Sequence, residues 1–133
     1  MIKRIDGGVC AAKGFLASGV HCGVRKKRTK KDIAMIYSEC RATAAAVYTT
    51  NLVKGAPLLV TKKHIADGYA QAVICNSGNA NTCNADGVEV AEKMSAMAAE
   101  ALGIRADDVV VASTGVIGQP LPLAPIAEAF PCS

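Results

Sequence analysis

Tryptophan is absent from this 133-residue chain, and only three Tyr and two Phe are present. A core of large rings is thereby excluded; 24 Ala and 12 Gly imply close backbone packing around small side chains. No stretch approaches the roughly 18 uninterrupted apolar residues of a membrane-spanning helix. Met1-Ile2-Lys3-Arg4-Ile5-Asp6-Gly7-Gly8 also lacks the apolar run of a secretory signal. No CxxC pair occurs among Cys10, Cys22, Cys40, Cys75, Cys83 and Cys132, and the Cys75–Cys83 spacing has no second pair to complete a zinc site. Reduced, apolar core thiols in a cytoplasmic protein are therefore expected, with no metal. The Gly-rich stretches Gly7-Gly8 and Gly14 to Gly23 match neither the Walker nor the dinucleotide fingerprint, so no nucleotide cofactor is indicated.

The chain is 51% hydrophobic and 20% charged, with a length that suits one domain over residues 1–133. The net charge is +4, but it is not evenly spread. Arg25, Lys26, Lys27, Arg28, Lys30 and Lys31 supply six of the fifteen basic residues, and the other nine are outnumbered by eleven acids. A nucleic-acid binder spreads Lys and Arg over a face, often with stacking aromatics, and neither is seen. The run is read as a solvated hairpin loop, with a clamp of Lys26 to Lys31 on phosphate or an acidic substrate as the weaker alternative.

Apolar runs separated by turn residues predict strands at Ile33–Ser38, Ala44–Thr49, Pro57–Thr61, Ala70–Cys75 and Val109–Ser113, with one or two more between Val9 and Val24. Asp86 with Glu89 gives a capping-box pattern before Val88, Ala91, Met94 and Ala98, and Gly103 follows Leu102 as a C-cap, so a helix is predicted between them. A last helix is expected from Pro122 or Pro125 to Phe130. Strands followed by helix, strand and helix argue an α/β or layered α+β domain, a mixed sheet packed with helices.

Two polar segments follow predicted strands. Asn76-Ser77-Gly78-Asn79-Ala80-Asn81 can take left-handed conformations and gather amides and N–H groups at one spot, or can be a solvated turn with a helix cap. Asn76, Ser77, Gly78 and Asn79 are accordingly candidate substrate contacts. In Ser113-Thr114-Gly115-Val116-Ile117-Gly118, a hydroxyl followed by Gly at a strand end suits an oxyanion hole, the alternative being a strand-terminating turn. A nucleophilic Ser113 or Thr114 would need a base beside it, and the only histidines, His21 and His64, are distant in sequence.

Five segments together resemble one known family. Val9-Cys10-Ala11-Ala12-Lys13-Gly14-Phe15, Lys31-Asp32-Ile33-Ala34-Met35-Ile36-Tyr37-Ser38 and Ala42-Thr43-Ala44-Ala45-Ala46-Val47-Tyr48-Thr49-Thr50-Asn51 are similar to its N-terminal pattern. Asn76 to Asn81 and Val111-Ala112-Ser113-Thr114-Gly115-Val116-Ile117-Gly118-Gln119-Pro120-Leu121-Pro122 resemble its two distinctive loops. The family is the glutamate N-acetyltransferase (ornithine acetyltransferase) family of arginine biosynthesis, and the likeness runs from Val9 to Leu123.

The resemblance implies a precursor that cleaves itself into an α and a β chain. The new N-terminal Thr of the β chain is the nucleophile, taking acetyl from N-acetylornithine and passing it to glutamate by a ping-pong route. Some members accept acetyl-CoA as donor. The family's oxyanion hole falls on Thr114 and Gly115. The family's Thr-Thr-Asp-Thr segment, Lys-Gly-rich segment and Ala–Thr junction do not occur before Ser133, so the chain resembles the first part of an α chain, without the nucleophile and the downstream substrate residues, and is expected to be inactive alone. A hetero-oligomer of α and β chains follows from the resemblance; a non-catalytic scaffold that keeps only the fold is the alternative.

Overall fold

The computed structural model describes residues 1–26 and 29–130; Lys27 and Arg28 of the basic run, and Pro131, Cys132 and Ser133, lie outside the described residues. Strand β1 (Phe15–Val20) and strand β2 (Ile33–Thr43) form an antiparallel hairpin around the basic run. Strand β3 (Tyr69–Asn79) pairs antiparallel with β2, and strand β4 (Val109–Val116) pairs parallel with β3. The sheet is thus mixed, in the order β1-β2-β3-β4, as the element pattern implied.

One face of the sheet carries the helices. Helix α2 (Gly87–Leu102) makes the crossover that a parallel β3–β4 pair requires. Its buried residues Val90, Ala91, Met94, Ala98 and Ala99 recur at helical spacing and pack with Ala72, Ile74, Val109 and Val111 of the sheet. Gly103 ends it in a left-handed conformation, as predicted. The capping box does not form: Asp86 makes no side-chain cap bond, and Glu89 pairs with Lys93 instead. Helix α3 (Ala124–Glu128) is shorter than expected, carries Pro125 in its first turn, and buries Ile126.

Two expected strands are not strands. Pro57–Thr61 lies in helix α1 (Ala56–His64), where Pro57, Val60, Thr61 and His64 are buried at i, i+3, i+4 and i+7. Pro in the first turn and Lys62, Lys63 and His64 in the last suit a helix at both ends. The helix also closes the free edge of β4. The Thr61 hydroxyl donates to the Val111 carbonyl and accepts its N–H, both at 3.0 Å, and His64 Nδ1 donates to the Val109 carbonyl at 2.9 Å. Ala44–Thr49 has no regular structure, and β2 ends at Thr43. A short apolar run becomes a strand only where a neighbouring strand accepts its ladder, and no described strand pairs with this one.

Among the described residues the cysteines are not in the core. Cys10, Cys40 and Cys83 are exposed, Cys22 and Cys75 are half-buried, and all five are free thiols. Small Ala, Val and Ile side chains fill the space instead. On the face away from the helices, Ala34, Ile36, Val73, Cys75 and Val110 are only partly covered.

Candidate active site

Parallel pairing brings the two polar segments side by side. Asn76 lies opposite Ser113, Ser77 opposite Thr114, and Gly78 opposite Gly115. Asn76–Asn79 is therefore the end of β3, where sequence reasoning places a loop: the incoming β4 supplies the ladder that keeps it extended. At Asn79 the register slips, because this residue faces both Thr114 and Val116.

The contact at this slip leaves no room for side chains. Gly115 has φ +134°, and a Cβ there would lie 2.3 Å from the Gly78 carbonyl carbon and 2.5 Å from the Asn79 nitrogen. Gly78 has φ +107°, and its Cβ would lie 2.6 Å from Arg25 Cγ. The backbones of β3 and β4 and the stem of Arg25 are thus layered directly on one another.

The asparagines hold this arrangement. Asn79 Nδ2 donates to the Gln119 and Pro120 carbonyls (2.9 and 3.2 Å), and its Oδ1 accepts the Asn81 N–H at 2.8 Å. Asn76 Nδ2 donates to the Asn79 carbonyl at 2.9 Å. Asn81, fully buried, donates to the Gly87 carbonyl at 2.8 Å and so fastens the strand end to the start of α2. Asn76 Oδ1, Asn81 Oδ1 and Ser113 Oγ are buried without partners among the described residues.

Thr114 and Gly115 stand between two clefts. The larger, of about 750 Å³, is lined by Arg25, Lys26, Gly78, Asn79, Gly115 and Gln119, among others. The smaller, of about 290 Å³, includes Lys31, Asp32, Cys75, Ser77, Ser113 and Thr114. Thr114 is exposed, Ser77 half-buried, and neither His21 nor His64 lines either cleft. His64 is buried in the helix layer, with Nε2 3.0 Å from Glu92 Oε2. Neither Ser113 nor Thr114 shares a cleft with a histidine.

Sequence reasoning passes over Asp32, which organises the basic loop. Its carboxylate is buried and accepts N–H bonds from Cys22 (2.7 Å), Gly23 (3.1 Å) and Arg25 (2.9 Å). Burial alone would push its pKa up, but the N–H groups of Arg25, Cys22 and Gly23 outweigh it and hold the carboxyl at about 2. Its carbonyl also accepts the Ser77 N–H at 2.8 Å, tying the loop to the end of β3. An acid at the close of a basic run, just before an apolar strand, was the only available signal.

A pH-dependent stability follows. Folding lowers this pKa from 3.8 to about 2, so the contribution is complete above pH 4 and is lost as the pH falls through 2. At 1.36 kcal/mol per pH unit it is worth about 2 kcal/mol. Asp32→Asn should therefore lower the unfolding free energy by about 2 kcal/mol at pH 5, with parent and variant converging near pH 2 in urea titrations. A gap that stays constant over that range would show that the charge plays no part.

Comparison with known proteins carries the fold further. A model of the ArgJ family matches residues 16–132. The chain is 50% identical over 123 residues to the arginine biosynthesis bifunctional protein ArgJ of Caldanaerobacter subterraneus subsp. tengcongensis, covering 92% of this chain and 30% of that protein. With the ArgJ protein of Listeria monocytogenes serovar 1/2a it shares 48% identity, covering 92% of this chain and 31% of that one. The chain thus spans about 30% of the length of these curated relatives. Among solved structures, ArgJ of Bacillus halodurans matches with a TM-score of 0.87 at 48% identity, over 93% of this chain and 65% of that one. Ornithine acetyltransferase of Mycobacterium tuberculosis, solved in complex with ornithine, matches with a TM-score of 0.86 at 36% identity, over 92% of this chain and 67% of that one. The family match begins at the second residue of β1 and takes in every other strand, both partners of the Gly78–Gly115 contact and all of α3: the chain belongs to the ArgJ family.

Proposed function

We propose that this chain is the N-terminal part of an acetyltransferase that moves acetyl from N-acetylornithine to glutamate in arginine biosynthesis, and that Thr114 and Gly115 form its oxyanion hole. The observation that carries the reading is the Gly78–Gly115 contact, which fixes Thr114-Gly115 at a strand end between two clefts. Family membership and an ornithine-bound relative support it.

In this reading the nucleophile is the N-terminal Thr of a β chain made by self-cleavage of a common precursor, and α and β chains form a hetero-oligomer. The α-amine of that Thr takes the proton of its own hydroxyl, whose oxygen attacks the acetyl carbonyl of N-acetylornithine. Negative charge develops on the carbonyl oxygen and is stabilised at Thr114 and Gly115. The acetyl C–N bond breaks, the proton goes to the departing ornithine amine, and acetyl remains as an ester on Thr. The amine of glutamate then attacks that ester, the C–O bond breaks, and the Thr hydroxyl is restored. Arg25, Lys26, Gly78 and Asn79 border the substrate cleft. No resident cofactor or metal takes part; acetyl-CoA enters only as an alternative acetyl donor. The reading places the reaction in the cytoplasm. Among the described residues no helix is long and apolar enough to cross a membrane.

Intact-mass analysis of natively purified protein tests the proposal. The expected result is a co-purifying chain that begins with Thr and gains the mass of one acetyl group on incubation with N-acetylornithine, losing it when glutamate is added. A lone chain that takes up no acetyl would overturn the reading in favour of a scaffold that keeps only the fold.

A further inference from the structure

Burial does little to hold the stretch from Thr114 to Pro120. Every residue of it is exposed, Val116 at 48% and Ile117 at 61%, whereas Val111 before it and Leu121 after it are at 3%. Apolar contact therefore fixes the two ends and leaves the middle, with its candidate oxyanion dipeptide, to hydrogen bonds. Those bonds converge on the end of β3 and the residues that follow it. The Ala80 N–H donates to the Val116 carbonyl at 2.8 Å, and the Gly118 N–H donates to the Thr82 carbonyl at 2.9 Å. The Gln119 carbonyl accepts from Asn79 Nδ2 at 2.9 Å and from Asn84 Nδ2 at 2.8 Å.

Asn79 differs from the other donors in gripping this stretch twice. Its backbone stands opposite both Thr114 and Val116, and its nitrogen lies where a Cβ on Gly115 would approach to 2.5 Å. Its side chain reaches beyond the turn and gives Nδ2 to the Gln119 and Pro120 carbonyls. The residue is 5% exposed, and both halves of its amide are engaged, because Oδ1 accepts the Asn81 N–H. Partners of opposite kind on the two halves allow one orientation only, since a turned amide would set its oxygen against two carbonyls. The Asn79 carbonyl is held in turn by Asn76 Nδ2.

We infer that Asn79 is the positioning residue of the Thr114-Gly115 dipeptide: its backbone and its side-chain amide clamp the chain on both sides of Gly115, so that the groups facing a developing oxyanion keep one geometry. The catalytic consequence rests on the acetyltransferase reading, whereas the clamp rests on the hydrogen bonds alone. Asn79 acts through the backbone of β4 and of the turn after it. An oxyanion forms only in the transition state, so loss of the clamp shows in kcat and not in KM.

Two variants of the protein, purified with any chain that accompanies it, test this by hydrogen exchange and by turnover. Asn79→Asp keeps the size and the acceptor for Asn81 but donates nothing to Gln119 and Pro120, and Asn79→Ala removes the donors without placing a charge at the strand end. In both, amide exchange over residues 114–120, followed by mass spectrometry, should quicken by about tenfold or more while α2 exchanges as in the parent. Counted per site that takes up acetyl, kcat should fall roughly 100-fold, the cost of a displacement near 1 Å, with KM for N-acetylornithine within about threefold. Asn84→Ala removes only the second bond to Gln119 and should stay within about threefold of the parent in kcat. Parent-like exchange over 114–120 in both Asn79 variants overturns the clamp whatever the activity. Fewer acetylated sites at an unchanged kcat per site, a change confined to KM, or an equal fall in Asn84→Ala would each overturn the positioning role. Quickened exchange in variants of a parent that transfers no acetyl would keep the clamp and remove the acetyltransferase reading.

Discussion

Replacing Gly115 by Ala should lower the unfolding free energy by about 4 kcal/mol or more, roughly a thousandfold in the folding equilibrium, and abolish any acetyl transfer. Two costs combine. At φ +134° an L side chain is strained wherever it points. The added Cβ would also lie 2.3 Å from the Gly78 carbonyl carbon, 2.5 Å from the Asn79 nitrogen and 2.8 Å from Gly78 Cα, all of them backbone. No rotamer change relieves such a contact, so β3 and β4 must part where their ladder already slips. Urea titration followed by circular dichroism reads the effect. An unfolding midpoint close to that of the parent would mean that the two strands separate freely here, and the rigid oxyanion site would be lost as an idea.

Thr114→Val should have a different signature: stability near that of the parent, with kcat for acetyl transfer down by roughly 100- to 1000-fold, the usual cost of one oxyanion donor. Thr114 is exposed and Val preserves its branched shape, so no buried partner is stranded and the strand is not weakened. In the proposed role, what is lost is the hydroxyl donor. Thr114→Ser retains that donor and should stay within about tenfold of the parent. Equal activity in the Val and Ser variants would remove the Thr114 hydroxyl from the site, leaving only backbone groups to act there.

Both substitutions concern residues that the sequence brings to notice, but for reasons that differ in reach. A hydroxyl followed by Gly at the end of Val109-Val110-Val111 is a local pattern, legible without any fold. The partner of Gly115 is not, because Gly78 meets it only through a parallel pairing that helix α2 must span. Helix α2 was legible throughout, since the spacing of Val90, Ala91, Met94 and Ala98 repeats over several turns and Gly103 closes it. Helix α1 was not. Pro57–Thr61 is too short to show a period, and what makes it a helix is the covering of β4 by Thr61 and His64. Asp32 and Arg25 were obscured in another way: in a run of six basic residues nothing marks which cation is fixed, and fixation comes from N–H groups folding around one acid.

The sequence by itself determined the element types wherever a pattern lasted long enough, the near-neutral domain with its single basic loop, and the two polar segments that carry the candidate chemistry. The tertiary structure alone decided that those segments lie side by side, that the first is strand, that its asparagines serve the backbone, and that Arg25 lies across Gly78. The physical reason is range. Periodicity, caps and turn residues report on neighbours a few positions away, whereas the space for a Cβ at Gly115 or a partner for the Asn79 amide depends on chain that is distant in sequence and arrives only through sheet register.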